Sequence, residues 1–137
     1  MTIDTDVQES TDSGDVKKFF SSSLITRSVA ERLEKTGYVD SGTSATKIAI
    51  AYALSKREIS SLPQKLSDRT GFNLGITQFD PNGSVRTLIK QTCFPDVDAT
   101  HRQIYDLAEL LCEAGMEDIQ KELDSGRTLV QIVSDVS

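Results

Sequence analysis

Between Ile48 and Leu54 the chain runs through seven consecutive apolar residues, and the stretch from Ser44 to Glu58 has almost no polar side between its basic ends, Lys47 and Lys56 with Arg57. Ala45, Ile48, Ala49 and Tyr52 share one stripe at helical spacing, and Ile50, Ala53 and Leu54 cover another, so a helix here needs cover on most faces. Its own small domain offers limited material for that. The alanines permit close approach of another helix, and a dimer or higher homo-oligomer with this helix near the interface is expected. Upstream, Phe20, Ser22 and Leu24 alternate with Phe19, Ser21 and Ile25 as in a short strand. Ser28 and Glu31 have the spacing of a capping box, Val29, Ala30 and Leu33 give a stripe, and Gly37 is a natural left-handed stop, which predicts a short first helix.

The residues after Arg57 read as a linker from 60 to 71, with Pro63 and Gly71 as punctuation, then a short extended segment over 72–79 and a turn at Asp80–Gly83. Ser84 is placed to cap a helix carrying Val85, Leu88, Ile89 and Cys93. Thr100 and Gln103 form a second capping box, followed by the cleanest amphipathic stripe in the chain, Ile104, Tyr105, Ala108, Leu111 and Cys112, with Gly115 as the expected stop. Short helices over 116–123 and 127–136 complete the pattern, the last with Leu129, Ile132, Val133 and Val136 on one face. The expected fold is all-α, mainly helical, with a short N-terminal strand. Residues 1–15 are too polar for burial to offset the entropy of ordering them, so a disordered acidic tail is expected before a single helical domain over 16–137.

Charge sharpens this picture. The net charge of −6 conceals a segregated layout: residues 1–15 hold five acids and no bases, residues 16–95 hold twelve bases and six acids, and the rest holds three bases and ten acids. A basic middle suits an anionic partner, most simply nucleic acid, with acidic ends limiting non-specific binding; mixed surface charge for solubility is the competing reading.

Most enzyme chemistry finds no footing. One histidine and two cysteines 19 residues apart fall short of a zinc site. Asp96–Thr100 superficially resembles the nucleophile loop of haloacid-dehalogenase-like phosphatases, but Pro95 precedes it where a buried strand belongs. As a calcium loop it lacks the glycine and the bidentate acid, since His101 and Leu107 occupy those places. The eight glycines form no phosphate-cradling motif, and no nucleophile elbow singles out a serine. No apolar run approaches the ~20 residues of a membrane span. The expectation is a reduced, cytoplasmic, non-enzymatic protein without cofactor or metal.

Residues 17–57, a strand followed by two helices, resemble in order the ribbon-helix-helix DNA binders, whose paired strands enter a groove while the start of the second helix meets a phosphate. On that reading the free amides after Thr43 and Ser44 face a phosphate, Lys47 sits one turn in, and Lys17, Lys18 and Arg27 add backbone contacts. Phe19 and Phe20 are poor groove readers, which favours backbone or shape binding over sequence reading. The stretch SVAERLEKTGYVDSGTSATKIAIAYALSKRE, with the later GFNLGITQFDPNGSVRTLI, resembles the DndE-type small subunit of bacterial and archaeal DNA phosphorothioation (sulfur-modification) systems. The resemblance covers about half the chain. It implies a small, helical, oligomeric, DNA-binding accessory subunit of a DNA modification or defence complex, with Lys17, Lys18, Lys35 and Lys47 as the lysines to test. The acidic tail and acidic C-terminal half depart from the family pattern. A ribbon-helix-helix transcriptional regulator and a protein-interaction module, with the acidic helices recruiting a basic partner, are the alternatives.

Overall fold

A computed structural model describes residues 16–134; the expected acidic tail and Val136 lie outside the described residues. The elements run β1 (Phe19–Ser21), α1 (Leu24–Lys35), α2 (Gly42–Lys56), a 3-10 turn (Ile59–Ser61), β2 (Asn73–Gly75), α3 (Ile76–Phe79), α4 (Ser84–Cys93), α5 (His101–Asp124) and α6 (Leu129–Ser134). The fold is mainly helical with a two-stranded sheet, as expected.

The apolar helix α2 is enclosed within its own chain. Its most extensive partner is α5, with α1 on another side, and Ala45, Ala49, Ile50 and Ala53 are almost wholly buried. The need for cover by sister copies, which motivated the expected homo-oligomer, therefore falls away. The reason lies in Gly115. It does not end a helix; α5 continues unbroken for 24 residues, absorbing the helix expected over 116–123. A Cβ at position 115 would collide with the carbonyl oxygen of Ala49, so glycine here lets two helix backbones approach more closely than side chains allow. One long helix can then cover what two short ones could not. What α2 leaves open is a narrow strip: Ala51 is exposed and Ile48 half-buried, both in an apolar groove with Tyr38, Leu129, Val130 and Val133.

Helix boundaries show which local signals were used. Gly37 adopts the left-handed conformation (φ 82°) and ends α1 as expected, with the Tyr38 amide reaching back to the Leu33 carbonyl. Thr100 and Gln103 make both bonds of a capping box. Ser28, however, lies inside α1, which begins four residues earlier at Leu24. The Ser23 side chain leaves the first amide unserved, and Asp68, from the segment expected to be a plain linker, accepts from Leu24 N–H at 2.8 Å. A cap supplied from 44 residues away leaves no local signature.

Candidate nucleic-acid interface

Four side chains one turn apart on α5, His101, Tyr105, Glu109 and Glu113, each engage a segment outside the helix. His101 Nδ1 accepts from the Lys17 amide (3.0 Å), which leaves Nε2 to carry the proton of the neutral ring. Glu109 Oε2 accepts from the Ser21 amide (2.6 Å). The repeats match: four residues of strand advance about 13 Å and eight of helix 12 Å. On its other edge β1 pairs antiparallel with β2, Phe20 opposite Leu74. The strand–helix–helix order expected for 17–57 is present, but both edges of its strand are occupied within the chain. Pairing with a second subunit's strand, as in ribbon-helix-helix dimers, would have to displace α5 or β2.

The same stripe corrects one candidate. Lys17 is buried, its ammonium held by Asp106 (2.9 Å) and Glu109 (3.3 Å), so its charge is committed within the chain. Glu109 is only 2% exposed; burial pushes its carboxyl up, against the pull of the Ser21 amide, Lys17 and Arg69. Glu113 accepts from both the amide and the hydroxyl of Ser67, fastening the segment from Leu62 to Phe72 across α5 as a strap.

The first turn of α2 is corrected as well. The helix starts at Gly42, capped by Ser41, whose oxygen accepts from the Ser44 amide (3.1 Å). The Ser44 hydroxyl donates to Asp40 (2.9 Å), so a carboxylate already stands where a phosphate was expected. The amide and the hydroxyl of Ser44 are therefore both engaged within the chain. Arg27 pairs with Glu31 on the exposed face of α1, and Lys35 is exposed at that helix's end. Neither lines the cleft described next.

Lys18 does line it. A cleft of about 550 Å³ opens between the lead into β1, α3, the turn before α4 and the start of α5, with Val16, Lys18, Thr77, Asn82 and Arg86 around it and Asp80 and Tyr105 among its lining. The turn forms because Gly83 takes φ 69° and so lets α4 begin at once. Asp80, rather than the expected Ser84, caps that helix. Its carboxylate accepts from the amides of Val85 and Arg86 (both 3.0 Å) and from the Tyr105 hydroxyl (2.7 Å), with the Ser84 hydroxyl at 3.4 Å. Burial works to raise the Asp80 carboxyl, but these bonds and nearby Lys47 together hold it below the usual carboxylate range. Burial and then Asp80 push the Tyr105 hydroxyl up.

Beside the ionised Asp80 the cleft presents cations. Lys18 and Arg86 are exposed and make no salt bridge among the described residues. Lys47 lies over the Phe79 ring, 5.8 Å from its centroid, beside Asp80. By contrast Arg32, Arg57 and Arg127 are each paired with a carboxylate. Arg86 was missed in the sequence because nothing in its neighbourhood shows that the chain returns to Lys18. The signal that could have pointed to it is the acid–Gly turn abutting a helix start, which orients the first turn of α4. Among the described residues no three His, Cys, Asp or Glu side chains gather as a metal site requires, and no helix is long and apolar enough to cross a membrane. No family model, curated protein or solved structure matches the chain.

Proposed function

We propose that this chain is a non-enzymatic DNA-binding accessory subunit that holds the nucleic-acid backbone against Lys18, Lys47 and Arg86. The observation that carries the reading is the grouping of these three cations around one turn, in a chain whose other arginines are largely committed to carboxylates. Asp80 keeps its negative charge, but its hydrogen-bonding capacity goes to amides and a phenol, so it forms no salt bridge with any of the three cations. Contacts of this kind position a duplex without reading its sequence. The likeness of residues 28–58 and 71–89 to DndE-type subunits supports a place in a prokaryotic DNA modification or defence complex of the phosphorothioation type, acting in the cytoplasm.

The test is a salt titration of duplex retention by the wild type and by the K18E/K47E/R86E variant. Each phosphate contact adds about 0.9 to the slope of log affinity against log salt, so the variant should lose about 2.7 from that slope and most of its low-salt affinity. Equal retention by both proteins rejects the assignment.

A protein-interaction reading has its own support in the apolar groove of about 340 Å³ between α2 and α6, where Val130 is 66% exposed. A second copy of the chain packing there would restore the expected homo-oligomer on a different footing from the one the sequence suggested. Light scattering of Val130→Glu against the wild type distinguishes the two: a mass that falls to one chain places the self-contact at this groove.

A further inference from the structure

We infer that the outward face of the β1–β2 sheet is a stacking platform for an unpaired base of single-stranded DNA, with Phe19 as the stacking ring. The inference deepens the DNA-backbone reading above and rests on it, since the cations of the cleft are to hold the flanking phosphates. It starts from a ring that the fold does not use. Phe19 is 55% exposed and belongs neither to the core nor to the half-buried apolar side chains around it. Phe20, on the inward face, is buried and packs on the Phe79 ring with centroids 4.2 Å apart. The cross-strand partner of Phe19 is Gly75, and a Cβ there would meet nothing nearer than the Gln78 Cβ at 4.0 Å, so the position opposite the ring is open.

The setting selects the partner. A lone exposed phenylalanine is ordinary, but this one stands one rung from the cationic cleft. The next residues along the two strands, Lys18 and Ile76, both line that cleft, and the Ile76 amide donates to the Lys18 carbonyl (3.0 Å). Lys18 is exposed and makes no salt bridge among the described residues. An apolar protein partner would gain nothing from that cation, whereas a nucleotide uses both groups, its base on the ring and its phosphate on the ammonium. Asn73 lies on the same face as the diagonal neighbour of Phe19, about 7–8 Å away, within the span of a base lying on the ring. Its carboxamide oxygen accepts from the Ser21 hydroxyl (3.2 Å), which leaves the NH2 group to donate to an acceptor on the base edge. The acids that meet Lys17, Asp106 and Glu109, are offset by it and by Arg69. A duplex keeps its bases stacked on one another, so the ring adds affinity only for a strand whose bases are unpaired.

The test measures, by fluorescence anisotropy in low salt, how the full-length wild type and Phe19→Ala bind an oligothymidylate of about 12 nucleotides, an abasic strand of the same length and a blunt duplex. Phe19→Ala is expected to lose about tenfold in affinity for the oligothymidylate and nothing for the other two, which offer phosphates without free bases. Phe19→Leu, apolar but without a π face, should behave like Phe19→Ala. Phe19→Trp should keep the affinity, and its indole, the only one in the chain, should be quenched by the oligothymidylate and not by the abasic strand. Equal affinities of wild type and Phe19→Ala for the oligothymidylate, or a wild type that binds the duplex and not the single strand, overturn the inference and leave the DNA-backbone reading standing. An equal loss for all three probes overturns it as well, because the ring then acts through the fold. Binding that depends on Phe19 but is unchanged in K18E/K47E/R86E upholds the platform and rejects the cation assignment; a wild type that binds none of the probes overturns both. A mass that falls to one chain in Phe19→Ala assigns the face to a second copy and overturns the inference.

Discussion

The two sides of α5 solve different problems with the same helix. Towards α2 it presents Gly115 and small or apolar neighbours, so that two backbones close to within contact of the Ala49 carbonyl. Towards β1, the strap and the turn before α4 it presents His101, Tyr105, Glu109 and Glu113, each bonded to a polar group of one of these segments. The apolar side contributes packing that carries no charge to respond to salt or pH. The polar side holds the segments from which Lys18 and Arg86 project. Both faces thus stabilise the fold, but only the polar one also positions the candidate interface.

The largest effect is expected on the close-packed side. Gly115→Val puts branched carbon into the Ala49 carbonyl, and neither backbone can yield, so a loss of about 3 kcal/mol is expected from the midpoint of a urea transition. Glu109→Ala should cost almost as much, about 2–3 kcal/mol, because it strips the Ser21 amide of its acceptor and leaves the buried Lys17 ammonium with Asp106 alone. Glu109→Gln keeps the acceptor and should cost visibly less. Tyr105→Phe removes one bond from a saturated carboxylate and should cost about 1–2 kcal/mol.

Acid separates two buried carboxylates of this polar side. Asp80 has its folded value below the ordinary 3.8, so its stabilising share is complete above that pH and is lost as pH falls through the folded value. Glu109 is shifted the other way, above the ordinary 4.5, so its share is present below that pH and is lost as pH rises through the raised value. A stability–pH profile should therefore lose its acid limb in Asp80→Asn and gain stability at neutral pH, relative to that at pH 4, in Glu109→Gln. The smallest effect is expected at the exposed part of the candidate interface, where K18E/R86E should leave stability within about 0.5 kcal/mol of wild type, whereas Lys47→Glu adds a cost by placing a like charge beside Asp80 and removing the cation from the Phe79 ring.

Legibility in the sequence followed the range of the interactions. The Thr100 capping box, the Gly37 stop and the apolar stripes were readable because their partners lie within one or two turns. Gly115 was misread because a stop and a close crossing call for the same residue, and only the facing Ala49 distinguishes them. Tyr105 read as one more apolar contact, although His101, Tyr105, Glu109 and Glu113 recur at four-residue spacing and form a polar stripe in an otherwise buried helix. Of the candidate phosphate contacts, Lys18 lines the cleft, Lys47 lies over the Phe79 ring beside Asp80, and Lys17 is buried with its charge paired. A lysine and its neighbour look alike in sequence, and both line the cleft, yet only Lys17 has its ammonium taken by Asp106 and Glu109. Arg86 comes from 68 positions further along, beyond the reach of any local pattern.

The most direct test of the account is the salt dependence of duplex binding for wild type and for K18E, K47E and R86E singly and together. The account predicts slopes that fall by about 0.9 for each cation removed, in variants that remain folded. A triple variant that binds duplex with the wild-type slope would contradict it.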